Sequence, residues 1–325
     1  MGSTFVFDMR SGGATLNLTG SSNMAELNVG NNSNASTVHI NPGADVTAGI
    51  IVVARDGNGN VSVDGGVLTA NYWMRVGWGN GGGGNITLNS GTIITPELTS
   101  QINPTGLSNS LNLNGGVLET ARIFSVGSGQ PFTTTMNGGT IKITGNDSIF
   151  KNFGGTNEVT VQIGSGGGTI DTNGFNTTSE RPIVDAPSAS GPLTKRGTGT
   201  LTLAAANTYT GPTTVENGTL ALSASGSISA NTALILGVSA GTTGTFDVTS
   251  KAAYSLADVL GNGTLNIGAG KTITATGNVS PGFSAGALNV TGNFTLAATA
   301  ATALEIEGQS AVSYTHLTLP TIYSV

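Results

Sequence analysis

Gly282-Phe283-Ser284-Ala285-Gly286 has the G-x-S-x-G spacing that can lift a serine nucleophile onto a sharp turn. That chemistry needs a strand before the turn, a helix after it and a downstream histidine to take the proton. The one histidine downstream is His316, in a stretch foreign to the rest of the chain, and Pro281 marks a corner. The motif is read as a turn. Gly77-Trp78-Gly79-Asn80-Gly81-Gly82 fits the dinucleotide fingerprint by letters, but Gly83 and Gly84 follow, so no helix N-terminus can receive a pyrophosphate. His39 lies between Val38 and Ile40, which alternation turns inward, so His39 faces solvent, and one histidine without cysteine makes no zinc site.

Two oxygen-rich or charged sets remain. Asp56, Asn58, Asn60 and Asp64 fall at alternate positions, as in a calcium loop. Val61 stands where that loop needs glycine and Val67 where it needs a bidentate glutamate, so the segment is weighed as an ordinary Asn/Gly corner and no metal or other cofactor is assigned. The second set comes from counting six residues past Gly66, Gly91 and Gly116, which gives Tyr72, Glu97 and Arg122. If the chain keeps register, these stack on consecutive rungs with Trp73 and Trp78 nearby, a surface that could hold a glycan by ring stacking and charged hydrogen bonds. The plainer alternative is an exposed Glu97–Arg122 ion pair. The 17 acidic residues are otherwise scattered along the chain, without the clustered carboxylates of polysaccharide lyases and hydrolases.

What must position these residues is a repeat. Val61-Ser-Val-Asp-Gly-Gly66, Ile86-Thr-Leu-Asn-Ser-Gly91, Leu111-Asn-Leu-Asn-Gly-Gly116 and Thr134-Thr-Met-Asn-Gly-Gly139 align without gaps, their last glycines 25, 25 and 23 residues apart. Each unit reads as a short strand, an Asn/Asp-Gly corner and a second strand. One such coil cannot cover its own apolar face and must stack on its neighbours at ~4.8 Å, as in a parallel β-helix. Val63, Leu88, Leu113 and Met136 then form one interior column, and Leu68, Ile93, Leu118 and Ile141 another. Asp64, Asn89, Asn114 and Asn137 form a polar ladder at the corner. The fold class expected is all-β, a right-handed parallel β-helix with coils of about 19–26 residues.

Residues 1–178 make the first solenoid segment. Between 179 and 192 three prolines interrupt the period, and this stretch is expected to be a loop or junction. Strands resume over 193–311 in another style, with Gly199-Thr-Leu-Thr-Leu, Gly218-Thr-Leu-Ala-Leu, Gly244-Thr-Phe-Asp-Val and Gly263-Thr-Leu-Asn-Ile. Within it, Leu193-Thr-Lys-Arg-Gly197-Thr-Gly-Thr-Leu-Thr-Leu203, followed by Asn207-Thr-Tyr-Thr-Gly211 and Asn217-Gly-Thr-Leu-Ala-Leu222, resembles the autotransporter-associated β-strand repeat. The resemblance covers 193–222 and implies export to a bacterial cell surface as a β-helical passenger, in proteins that end in an outer-membrane barrel or a sorting anchor. It supplies no catalytic residues. Residues 312–325 share no period with the solenoid and resemble a translated sequencing adapter, so this tail is expected to be non-native.

Composition narrows the classes further. Hydrophobic residues make up 37% of the 325, enough for a core, while only 9% are charged. A net charge of −6 without a Lys/Arg cluster argues against nucleic acid as a partner. Cysteine is absent, which removes disulfides and thiolate metal sites. No apolar run approaches the ~20 residues of a membrane helix. The functional expectation is a non-enzymatic exported passenger, a stalk, spacer or adhesin whose partners are surface glycans or a neighbouring cell. A carbohydrate-active β-helix and a calcium-stabilised solenoid are the competing readings.

Overall fold

In the computed structural model the described residues are 5–10, 13–31, 35–78, 82–101, 108–126, 132–151, 159–239, 241–282 and 287–302. Residues 79–81 of the glycine-rich motif, 283–286 of the G-x-S-x-G motif and the tail at 312–325 lie outside them. The described chain is all-β, and every strand pairing is parallel. Successive strands turn corners and stack on the strands of the preceding coil, giving a β-solenoid with three faces.

Register on each face follows the alternation of apolar residues. On the first face Leu18, Ile40, Val63, Leu88, Leu113, Met136 and Ile163 pair in succession. Val63, Leu88, Leu113 and Met136 are fully buried in that column, as expected. On the second face Leu68, Ile93, Leu118, Ile141 and Ile170 do the same. The third face carries an unbroken ladder from Val6–Asp8 through Ser21–Val29, Asp45–Val53, Gly59–Val76 and Glu97–Gln101 to Arg122–Val126, and on to Leu288–Leu296. Residues of all three faces join one hydrophobic core running from Met9 to Val279. A parallel coil leaves its apolar face open until the next coil lands on it, so stability grows by stacking.

The stretch at 179–192 is more ordered than a loop. It contains the strand Ile183–Asp185, which pairs with Val161, Gln162 and Ile163 on the first face. Pro182 precedes that strand and Pro187 and Pro192 fall after it, where no ladder N–H is required. The ladder therefore crosses the expected junction without a break. Coil length varies more than the expected range, because Thr140 pairs with Thr169 in the longest coil while Gly244 pairs with Gly263 in one of the shortest. Extra residues are absorbed at corners, leaving the interior columns in step.

The corners depend on glycine where one rung meets the next. Gly91 has φ +86°, and a Cβ there would meet the Gly66 carbonyl oxygen at 2.2 Å. Gly270 shares the left-handed backbone, at φ +71°, but has open space around it. Gly91→Ala should therefore destabilise the fold by about 2 kcal/mol or more, and Gly270→Ala by about 1 kcal/mol. Denaturant titration of the two variants checks the difference, and equal losses would mean the tight rung contact at Gly91 is not real.

Candidate functional site

The polar corner ladder forms over three rungs. Asn89 donates to Asp64 at 2.7 Å and Asn114 to Asn89 at 3.0 Å. The Asn89 hydrogen bond is the leading cause of the lowered pKa of Asp64. Asn137 does not continue the amide chain. Its side-chain oxygen accepts from the Gly166 backbone at 2.8 Å, because the long coil that follows inserts extra corner residues there. His39 faces outward, with Nδ1 3.4 Å from Asp64. Ser62 stands opposite His39 on the next rung but donates to Asp64 at 2.8 Å. A hydroxyl held by the carboxylate rather than by the imidazole lacks the nucleophile–base arrangement.

The calcium candidates do not converge. Asn60 and Asp64 lie in one extended strand, Gly59–Val76, which at ~3.3 Å per residue spreads them along the first face. Asp64 is engaged at the far corner, the Asn58 side-chain oxygen accepts from Gly83, and Asp56 faces a cleft on another side of the coil. A loop wrapping one ion needs a turn where this sequence forms a strand.

The third face gathers most of the unusual side chains. Glu97 and Arg122 are rung partners, with Arg122 Nε 3.0 Å from Glu97, and the same guanidinium reaches Asp147 at 3.1 Å. Hydrogen bonding to Glu97 raises the Arg122 pKa further. Tyr72 is displaced from the expected column. Val67 pairs with Thr92, but Met74 pairs with Leu98, so the chain has taken up one extra residue in between and Trp73 stands opposite Glu97. Tyr72 projects 71% exposed over Gly49, where the partner strand has its own register shift. The cluster that does assemble is Trp73, Arg75 and Trp78. The indole rings are 5.7 Å apart and the Arg75 guanidinium sits 4.5 Å and 4.6 Å from their centres. Burial lowers the Arg75 pKa. Arg55 lies 5.2 Å over Trp78 and hydrogen-bonds Glu26 at 3.0 Å.

Residues that look scattered in sequence are ordered by the coils. Register sets Glu119, Lys142, Asp171 and Arg196 in one column of the second face, and Arg196 bonds Glu216 at 2.6 Å on the next rung. Charge alternates in sign along five rungs, so these carboxylates neighbour bases rather than each other. A Glu97/Arg122 double-mutant cycle should give a coupling of about 0.5–1 kcal/mol that shrinks with added salt. A coupling above about 2 kcal/mol would show the pair to be desolvated.

Sequence reasoning missed the buried polar residues of 193–222. Lys195 follows Ile170 and precedes Val215 in an otherwise apolar interior column and is fully buried. Its ammonium donates to the carbonyls of Arg196, Gly197 and Asn217 at 2.7, 2.7 and 3.0 Å. Asn207 is buried at a corner, accepting from the Ile183 N–H at 2.8 Å and donating to the Ala205 and Ser227 carbonyls at 2.9 and 2.7 Å. Tyr209 is fully buried with its hydroxyl 2.7 Å from Thr213, and burial pushes its pKa up. Lys195 and Asn207 tie one coil to its neighbours, while the Tyr209 bond closes locally across a corner.

Residues 193–222 match the family model of the passenger-associated-transport-repeat. The chain carries an autotransporter passenger repeat. No curated protein and no solved structure matches the chain. The passenger repeat and the β-helix that contains it fit together, since Lys195 and Asn207 bond from one coil to the next. That family implies a secreted or cell-surface bacterial protein. Among the described residues there is no helix long and apolar enough to cross a membrane, which leaves membrane strands untouched.

Proposed function

We propose that this passenger region is a non-enzymatic stalk or spacer that holds other parts of a surface protein away from the cell. The observation that carries the reading is the single core that continues from the first described coils into the family repeat. Each added coil lengthens such a rod by ~4.8 Å without changing its cross-section. Outward positions support it too: the first-face column Asn17, His39, Ser62, Thr87, Asn112, Thr135 and Gln162 is polar throughout. The side chains of 193–222 are used for stacking rather than for chemistry.

The test removes whole coils. Deleting 109–131 brings Phe132 onto the rung that Asn109 held, because the two are partners. In cells displaying the intact surface protein, one-coil and multi-coil deletions should preserve display and lower a membrane-distal epitope in proportion to the coils removed. Unchanged height, or loss of a specific activity with a single coil, would contradict the spacer role.

A further inference from the structure

Three consecutive rungs of the third face build a second feature that a spacer does not need. Asp8, then Glu26, Asn28 and Asn31, then Arg55 and Asp56 line a cleft of about 580 Å³ together with Val6 and Arg10. That volume lies within the ~300–1,000 Å³ of small-molecule sites. The cleft is organised before any ligand arrives. Asn31 donates to both oxygens of Asp8 at 2.8 Å, and Arg10 Nε reaches Asp8 at 2.7 Å. Arg55 is clamped from two directions, by Glu26 and Asn28 on one side and by the Trp78 ring on the other. Trp78, one rung beyond Arg55, is itself braced by Trp73 and Arg75 of its own rung.

We propose that this cleft binds an uncharged saccharide, with Arg55 and Asp56 as the principal contacts. The chemistry follows from what lines it. Arginine, aspartate, glutamate and asparagine offer paired donors and acceptors to vicinal hydroxyls, which both give and accept. Among the described residues, the Asp56 carboxylate and one nitrogen edge of Arg55 have no protein side-chain partner and are free for a ligand. Three carboxylates, Asp8, Glu26 and Asp56, face two guanidinium groups, Arg10 and Arg55, so the surplus is negative and repels an acidic sugar or a phosphate. Among the described residues Val6 is the only apolar one lining the cleft, which leaves little for a lipid or an apolar peptide. Rungs repeat every ~4.8 Å, about one pyranose ring, so a short glycan laid across them meets a polar side chain at each step. The cleft is open to water, and affinity at one site is accordingly weak, in the millimolar range.

Ligand-observed NMR on the intact chain tests this, with glucose-, galactose-, mannose- and N-acetylglucosamine-terminated oligosaccharides set against a uronic-acid oligosaccharide and a sulfated polysaccharide. At least one uncharged glycan should bind and the acidic probes should not. Arg55→Gln and Asp56→Asn should each weaken that binding about tenfold, while Glu119→Gln, on another face, leaves it unchanged. Asp56→Asn removes no structural partner, so it reports on the site even if Arg55→Gln loosens the fold. Binding only by the acidic probes, binding insensitive to both variants, or no binding by any uncharged glycan overturns the proposal. None of these outcomes bears on the coil deletions that test the spacer role.

Discussion

Replacing Lys195 by alanine should cost about 3–5 kcal/mol, among the largest losses of any single substitution in the chain. Two effects add. The long side chain leaves a void in an interior column that is otherwise apolar, between Ile170 and Val215. The carbonyls of Arg196, Gly197 and Asn217 lose the donor that satisfies them. Lys195→Met refills the void but not the donor, and should recover roughly half of the loss. A pH dependence separates the ammonium from simple packing. Burial draws the folded pKa down to about 8 from an ordinary 10.5. Between those values the unfolded chain holds a proton that the folded chain has released, so stability rises with pH across that window, by up to about 3 kcal/mol. Below pH 8 both states are protonated and the cost of burying the charge is fully present. Lys195→Met should lack the slope. An opposite slope in the parent would show that the three carbonyls hold the proton more strongly than burial expels it.

Asn207→Ala is expected to cost about 3 kcal/mol. Its side chain joins the Ile183 N–H, from the preceding coil, to the Ser227 carbonyl of the following one, so its loss strands partners in three coils. Thr202→Ala, at an outward position of the third face, should change stability by less than about 0.5 kcal/mol. Thermal unfolding of both variants decides it. Similar small losses would mean the corner is held by the backbone ladder alone.

The fold was legible because its signal is local and repeated. Gly66, Gly91, Gly116 and Gly139 mark the corners, and alternation before each one names the inward residues. What escaped follows from corner geometry. Tyr72 was counted into a column that Trp73 occupies, because one extra residue is taken up between Val67 and Met74 and counting from a glycine cannot see it. Asn137 left the amide ladder for Gly166 for a similar reason, an enlarged next corner. Lys195 was visible in principle, since it shares the inward parity of Leu193, but lysine in an alternating strand reads as a solvent residue until its three carbonyls are seen. The cleft was the least legible feature. Asp8, Glu26 and Arg55 are far apart in sequence and meet only because three successive coils place them on one face.

The central claim is that one continuous ladder runs from the early coils through 179–192 into the passenger repeat, and spin-label distances test it most directly. The chain has no cysteine, so pairs can be introduced cleanly. Thr92 leads rung by rung to Val117, Thr140, Thr169, Thr194 and Thr214, all outward on the second face. Labels at Thr92 and each of Thr140, Thr169, Thr194 and Thr214 should give narrow distributions rising linearly, by ~4.8 Å per coil, to ~24 Å at Thr214. A break in the line between Thr169 and Thr194, or broad distributions beyond it, would show two independent bodies and contradict the single solenoid.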